Sequence, residues 1–285
     1  MSRAMNPSFY GRRLVPPTRE VVEAFGTAGS PRRIPGGQGT SYRIGDIVLK
    51  PTEGLAVATW MAEVHERLPN SPHVRFSRPV RARDGGWVVE GYAAWTFLEG
   101  EHRAREYERK LKASIEYHRL LASVGKPGFL DSPTSSWAAA DLVATGERPF
   151  SYDEPFMALY AELAPRLRPL NLPFQVIHGD LSGNFLLCDG SAPAVIDLSP
   201  AWAPVRMSEG IMLADVITWE NAEPDALRPW ISLPDMEQLV WRGIVRRIAE
   251  QAEHVRFLGK DRNQAVADAR EFRRAIEMVS TLFTR

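Results

Sequence analysis

The sequence predicts an α+β chain with a sheet-rich front and a helix-rich back. Three observations carry that expectation. Short apolar segments separated by Gly, Pro, Asn and Asp fill residues 34–100. Only one amphipathic run, Thr52–Leu68, interrupts them. Residues 101–285 then consist mostly of long segments with apolar side chains at helical spacing. At 285 residues and 44% hydrophobic content, the chain can bury a substantial core or form two lobes.

Residues 1–33 read as an N-terminal extension with one short helix, Thr18–Ala24, in which Thr18 caps the start and Glu20 and Glu23 lie near it. No apolar signal core follows MSRAMNPSFYGRRLVPP, and no stretch reaches the roughly 18 apolar residues of a membrane span. From Ile34 the segments Ser41–Ile44 and Asp46–Lys50 read as hairpin strands joined at Gly45-Asp46. Val74–Val80, Trp87–Gly91 and Ala94–Leu98 read as further strands. The texture changes after Leu98-Glu99-Gly100, which places a boundary between 34–100 and 101–285. Helices are expected at Ala104–Val124, Phe156–Leu167, Met207–Trp219, Pro234–Phe257 and Asp261–Phe283, with strands at Phe174–His178, Asn184–Cys188 and Ala194–Ile196.

Composition narrows the function. Positive and negative side chains balance at 35 each, so no net field draws the chain to nucleic acid or to an anionic membrane. The single cysteine, Cys188, excludes an internal disulfide and a cysteine-based zinc site and fits a reducing compartment, with the cytoplasm as the expected location. The pairs Arg246-Arg247 and Arg273-Arg274 sit among Glu and Ala and read as solvated helix faces. Trp202, Trp219, Trp230 and Trp241 read as core. No heptad seam marks a partner surface, so oligomeric state stays open.

The chemistry concentrates in residues 176–200, VIHGDLSGNFLLCDGSAPAVIDLSP. Phosphoryl transfer needs a group that orients the acceptor hydroxyl and receives its proton, together with oxygen ligands for the metal that neutralises the phosphates. Asp180 suits the first task; Asn184 and Asp197 suit the second, as magnesium ligands. A buried strand entering at Phe174–Ile177 would set Asp180 in the turn beyond it. The Asp189-Gly190 turn would return the chain so that Asp197 ends a strand. His178 reads as a hydrogen-bonded structural residue. The segment Gly36-Gly37-Gln38-Gly39-Thr40-Ser41 offers small residues and N–H groups that can approach phosphates, with Gly37, Gly39, Thr40 and Ser41 as the contacts.

With HGDLSGN at 178–184, VID at 195–197 and Ala214-Asp215-Val216 downstream, the chain resembles the aminoglycoside phosphotransferase-like family over roughly residues 34–285. The resemblance implies a two-lobed, protein-kinase-like α+β fold, with an antiparallel sheet lobe carrying one helix and a mainly helical lobe. It implies ATP and Mg as cofactors and a small-molecule acceptor carrying a hydroxyl or amine. It also implies that Lys50 steadies the phosphates with Glu63 as its ion-pair partner, Glu66 being the competitor. Thr96-Phe97-Leu98 would meet adenine through backbone hydrogen bonds, and Asp215 would brace the catalytic loop from a helix start. One departure stands out: three residues separate Asp180 from Asn184, where the family generally has four. That spacing and the irregular glycine loop favour the alternative of a nucleotide-binding pseudokinase acting as a sensor or scaffold.

Overall fold

The computed structural model describes residues 16–34, 40–52, 54–131, 135–258 and 262–283. Two compact units are present, Ser8–Glu101 with Leu186–Ile196, and His102–Phe185 with Asp197–Arg285. In the first unit, helix α1 (Arg19–Ala24) is capped by Thr18, whose Oγ1 accepts from the Val21 N–H at 3.3 Å. Strand β1 (Arg32–Arg33) pairs antiparallel with β2 (Tyr42–Ile44), and β2 with β3 (Ile47–Pro51). The expected turn joins them, with Gly45 at φ +55, a region that a side chain would strain.

Helix α2 (Leu55–Arg67) then leads to four short strands, β4 (Arg75–Phe76), β5 (Pro79–Val80), β6 (Val88–Val89) and β7 (Tyr92–Thr96). Strand β7 pairs antiparallel with β3, β5 and β6. The two-residue period of β2 and β3 turns Tyr42, Ile44 and Leu49 onto one face. There they meet Ala82, Ala94 and the α1 residues Val21 and Val22 in a single apolar cluster.

The second unit holds helices α3 (Tyr107–Leu121), α4 (Ser136–Thr145) and α5 (Phe156–Leu163), followed by strand β8 (Phe174–His178). The chain continues through β9 (Phe185–Leu186) and β10 (Ala194–Val195) before β11 (Pro200–Pro204), and β10, which belongs to the first unit, pairs there in parallel with β4. Helices α6 (Met207–Trp219), α7 (Arg228–Ile231), α8 (Met236–Leu258) and α9 (Arg262–Phe283) complete the fold. Sequence patterning identifies β8 but not its partner. Strand β11 opens and closes on proline, which is tolerated because the β8–β11 ladder has only two strands and both are edges. Helix α4 also escapes periodicity, since its buried residues Ala139, Ala140, Val143 and Ala144 are mostly too small to mark a face. Its ends are nonetheless written in sequence: Ser135 Oγ accepts from the Ala138 N–H, and Gly146 leaves the helix at φ +84.

Helix α8 is the central post. Its residues Leu239, Val240, Trp241, Ile244, Val245, Ile248 and Ala249 are all buried, as α4, α6 and α9 pack against it. The contact with α6 is made at glycine. A Cβ at Gly210 would stand 2.5 Å from the Leu239 carbonyl oxygen, and one at Gly243 would stand 2.6 Å from the Gly210 carbonyl oxygen. The two backbones therefore touch where any side chain would hold them apart.

Enclosure of α8 overturns the expectation of a solvated Arg246-Arg247 face, for both arginines are buried. Arg246 donates from Nε to Asp141 of α4 at 2.8 Å and from Nη1 to Glu250 at 2.6 Å. Arg247 donates from Nη1 to the same Glu250 oxygen at 2.7 Å. A helix packed on several sides has no solvated face on which to leave charges, so they are buried in pairs. Arg273 does behave as expected, lying half-exposed against Glu162. Trp230 and Trp241 are fully buried, as read from sequence, whereas Trp219 is largely exposed and meets Phe272 edge-on.

Two measurements follow from this packing. Gly243→Ala should lower the unfolding free energy by about 1–3 kcal/mol, read as a reduced urea midpoint, because the helix contact must open to admit the methyl group. Glu250 supplies a pH test. Burial pushes its carboxyl up, but Arg247 and Arg246 outweigh burial and bring it down to about 2 from an ordinary 4.5. A folded value below the unfolded one means that its stabilisation is present above about pH 4.5 and is lost as pH falls toward 2. The urea midpoint should fall across that window, and fall less in Glu250→Gln.

Candidate active site

The segment 178–184 begins where β8 ends, and its first three N–H groups are engaged. The His178 N–H donates to Nε2 of His118 at 3.1 Å, and the His178 carbonyl accepts from Ser208 Oγ at 2.7 Å. The Gly179 N–H donates to the Ser199 carbonyl at 2.8 Å. The Asp180 N–H donates to Nδ1 of His178 at 3.2 Å. His178 is fully buried, so its imidazole is a fixed acceptor beneath the turn. His118 is held in turn from α6: its Nδ1 lies 2.9 Å from Glu209 Oε1, which also accepts from Ser114 Oγ at 2.5 Å. Because Nε2 of His118 accepts a backbone N–H, the hydrogen-bond network assigns its proton to Nδ1. Nothing at positions 114, 118 or 209 distinguishes these residues from ordinary helix surface in the sequence.

The carboxylate of Asp180 is the half-exposed group of this turn. Its Oδ1 accepts from Nη2 of Arg247 at 2.8 Å, while among the described residues Oδ2 takes no hydrogen bond. The same guanidinium reaches Asp215, through Nε to Oδ1 at 2.7 Å and Nη2 to Oδ2 at 2.6 Å. Burial pulls the Arg247 pKa down, but the charges of Asp215, Glu250 and Asp180 more than reverse this, and it lies well above its ordinary value. Arg247 is thus a permanent cation shared by three carboxylates. Sequence reasoning missed it; the one available signal was its spacing of three residues from Glu250 on a helix.

Asp215 braces the turn by accepting from Ser182 Oγ at 2.6 Å. It does so from the middle of α6 rather than from a helix start, which corrects the expectation. The short 180–184 loop closes through Asn184, whose N–H donates to the Leu181 carbonyl at 2.9 Å and whose Nδ2 donates to the Asp180 carbonyl at 2.5 Å. With the amide nitrogen turned inward, Asn184 Oδ1 is the atom left for other partners. Gly183 keeps an ordinary backbone angle, and the left-handed residue is Asp197, exposed at φ +54. Asp197 lies beyond the end of β10, which stops at Val195. A carboxylate and an amide oxygen suit magnesium, which takes few protein oxygens and completes its shell with water and phosphate.

In the sheet unit, Lys50 lies on β3 and is half-buried; burial pushes its ammonium down to about 8 from an ordinary 10.5. Both glutamates proposed for it on α2 face arginines, Glu63 accepting from Arg67 at 3.1 Å and Glu66 from Arg81 at 3.0 Å. At 96–98, the Thr96 N–H donates to the Arg78 carbonyl and the Phe97 N–H to the Asp46 carbonyl, while the Arg43 guanidinium covers the Phe97 ring at 3.5 Å. The Leu98 N–H takes no partner among the described residues. Ser41 gives its carbonyl to the Ile34 N–H, and Thr40 precedes it; Gly37 and Gly39 lie outside the described residues.

The carboxylates of the helical region after Met207 serve separate local contacts. Glu209 is buried beneath the turn, Glu220 accepts the Arg105 N–H, and Asp225 pairs with Arg228 on the surface. A cavity of about 550 Å³ instead lies where Tyr152, Asp153, Glu154 and Phe156 face Ala252, Val255 and Arg256 of α8. No helix among the described residues is long and apolar enough to cross a membrane.

Comparison with known proteins places this geometry. The fold is similar to that of AMP-bound spectinomycin phosphotransferase, with a TM-score of 0.58 at 12% identity, covering 92% of this chain and 97% of that one. A microcompartment-associated aminopropanol kinase gives a TM-score of 0.58 at 13% identity, covering 93% of this chain and 96% of that one. An aminoglycoside phosphotransferase from Alicyclobacillus acidocaldarius gives 0.53 at 11% identity, covering 85% and 88%. No curated protein matches the sequence. The architecture is therefore the two-lobed, kinase-like α+β fold that the sequence resemblance implies. Residues 34–229, well over half of the chain, match the model of the phosphotransferase enzyme family, and the chain belongs to that family.

Proposed function

We propose that this phosphotransferase moves the γ-phosphate of ATP, with magnesium, to a hydroxyl of a small molecule. The observation that carries the reading is the Asp180 carboxylate, held at Oδ1 by Arg247 on a turn entered through engaged N–H groups at His178, Gly179 and Asp180, with Oδ2 clear of described partners. Asp180 Oδ2 accepts the acceptor's O–H, aligns its lone pair on the γ-phosphorus and takes the proton as the O–P bond forms and the bond to ADP breaks. Asn184 Oδ1 and Asp197 are the residues that hold magnesium, which neutralises phosphate charge when bound. Lys50 meets the phosphates, aided by Gly37, Gly39, Thr40 and Ser41. The Leu98 N–H donates to adenine.

The cavity beside α8 suggests the acceptor's character. Asp153 and Glu154 supply negative charge, Arg256 supplies positive charge, and Tyr152 and Phe156 supply rings, a lining suited to a polar molecule that carries groups of both signs. The similar folds of a spectinomycin phosphotransferase and an aminopropanol kinase support an amino alcohol as the acceptor's class. The three-residue spacing of the 180–184 loop favours a second reading, a nucleotide-binding pseudokinase.

The decisive experiment incubates the protein with ATP, magnesium and a metabolite library rich in amino alcohols and reads a mass gain of one phosphate. Asp180→Ala should reduce that transfer by about 10²–10⁴-fold without loss of fold. ATP binding by calorimetry with no phosphorylated product in any pool would establish the pseudokinase instead.

Lys50 adds a test in which function and stability move oppositely. Its folded pKa of about 8 lies below the ordinary 10.5, so the native state binds fewer protons than the unfolded one between those values and stability rises with pH across that interval. Lys50→Met should weaken ATP binding yet raise the urea midpoint at pH 7, and the rise of that midpoint between pH 8 and 10.5 should be smaller than in wild type.

A further inference from the structure

We infer that Arg247 is a positioning residue of the reaction: it sets the angle of the Asp180 carboxylate so that Oδ2 alone faces the acceptor. The inference rests on the reading of Asp180 as the acceptor-orienting group and adds the device that orients it. Nη2 of Arg247 is shared, donating to Asp180 Oδ1 at 2.8 Å and to Asp215 Oδ2 at 2.6 Å. Nε and Nη1 are committed elsewhere, to Asp215 at 2.7 Å and Glu250 at 2.7 Å. With all three nitrogens engaged, the planar guanidinium has one orientation, and Asp180 Oδ1 must meet it there.

A carboxylate whose backbone is pinned keeps one freedom, rotation about its side-chain torsions. The Asp180 backbone is pinned by its N–H to His178 and by its carbonyl from Asn184, at 3.2 and 2.5 Å. The contact at Oδ1 removes the remaining freedom. Were it absent, the half-exposed side chain would sample several rotamers, and only some would present an oxygen to an acceptor hydroxyl. Asp215, which faces the same arginine, is already fastened to Ser182 Oγ, so Arg247 reads the position of the loop twice. A lysine here would supply a charge but only a point donor, unable to span Asp180, Asp215 and Glu250 in a fixed plane.

The test compares Arg247→Lys with wild type, reading phosphate release from ATP with magnesium and water as the acceptor hydroxyl. The expected result is a protein that melts cooperatively, with kcat reduced roughly ten- to a hundredfold and KM for ATP within about twofold, since misalignment impairs the chemical step and leaves nucleotide binding intact. A purely structural arginine would leave kcat per folded molecule unchanged, so a kcat within about threefold of wild type overturns the inference. Should Arg247→Lys fail to fold, the pair Arg247→Gln with Glu250→Gln removes one positive and one negative buried charge together and is read the same way. A crystal structure of the variant gives an answer independent of turnover: an Asp180 carboxylate still in its wild-type rotamer overturns the inference. Asp180→Asn separates the two levels. Full turnover in Asp180→Asn brings down the reading of Asp180 itself, whereas an inactive Asp180→Asn beside a wild-type-like Arg247→Lys brings down only the role of Arg247.

Discussion

The helical unit depends on one guanidinium. Arg247 joins three carboxylates that lie far apart in sequence, Asp180 on the turn after β8, Asp215 on α6 and Glu250 on its own helix. Such a cation is costly to bury and is stable only when its donors are met. They are met because α6 and α8 touch at Gly210 and Gly243. Asp215 lies five residues beyond the first glycine and Arg247 four beyond the second, hence about 7.5 and 6 Å along the two axes from the crossing. A wider crossing would pull the guanidinium from Asp215, and Asp180 would lose its support with it.

Around that charge, a chain of hydrogen bonds does the finer placement. The line from Glu209 through His118 to the His178 N–H, and from His178 Nδ1 to the Asp180 N–H, runs from α6 through α3 into the turn. Its members are buried, so their bonds form in a low-dielectric setting where breaking one leaves a polar group unsatisfied. Glu209 Oε2 already has no partner, which is a cost the network carries. The carboxyl of Glu209 still sits below its ordinary pKa: burial pushes it up, and the contacts from His118 and Ser114 prevail. The turn is therefore fixed from beneath before any ligand arrives.

What could be read from the sequence follows from where each signal resides. The cluster at 178–197 was legible because its chemistry is contiguous: polar residues of the right types stand between short apolar strands. The β2–β3 hairpin was legible because Gly45 satisfies a local backbone need. Helix α6 was placed with its observed ends, Met207 and Trp219, yet Asp215 was expected at a helix start because its tie to Ser182 is a tertiary contact. Arg246 and Arg247 were misread for a related reason. Pattern arguments assign charges to solvent when apolar residues share one stripe, but α8 is enclosed on several sides and its charges answer to α4, α6 and the turn. In the sequence Glu209 carries no signal of its place, because its contacts with His118 and Ser114 are tertiary.

The contrast between the two cations at the centre of the proposed chemistry sharpens the division of labour. Arg247 has its charge over-compensated: nearby carboxylates outweigh its burial, and its value rises. Lys50 has the opposite balance, since burial outweighs whatever contacts it makes and its value falls. A cation with surplus partners gains little from a further anion and holds what it has. A cation whose charged form burial disfavours gains from an arriving anion, which adds negative charge beside it. Residue type agrees with this assignment: arginine offers several fixed donors for a permanent framework, and lysine offers a movable point charge whose protonation tracks its environment. On this argument the helical unit commits its buried cation to geometry, and the role proposed for Lys50 in meeting phosphate fits a cation whose charged form burial disfavours.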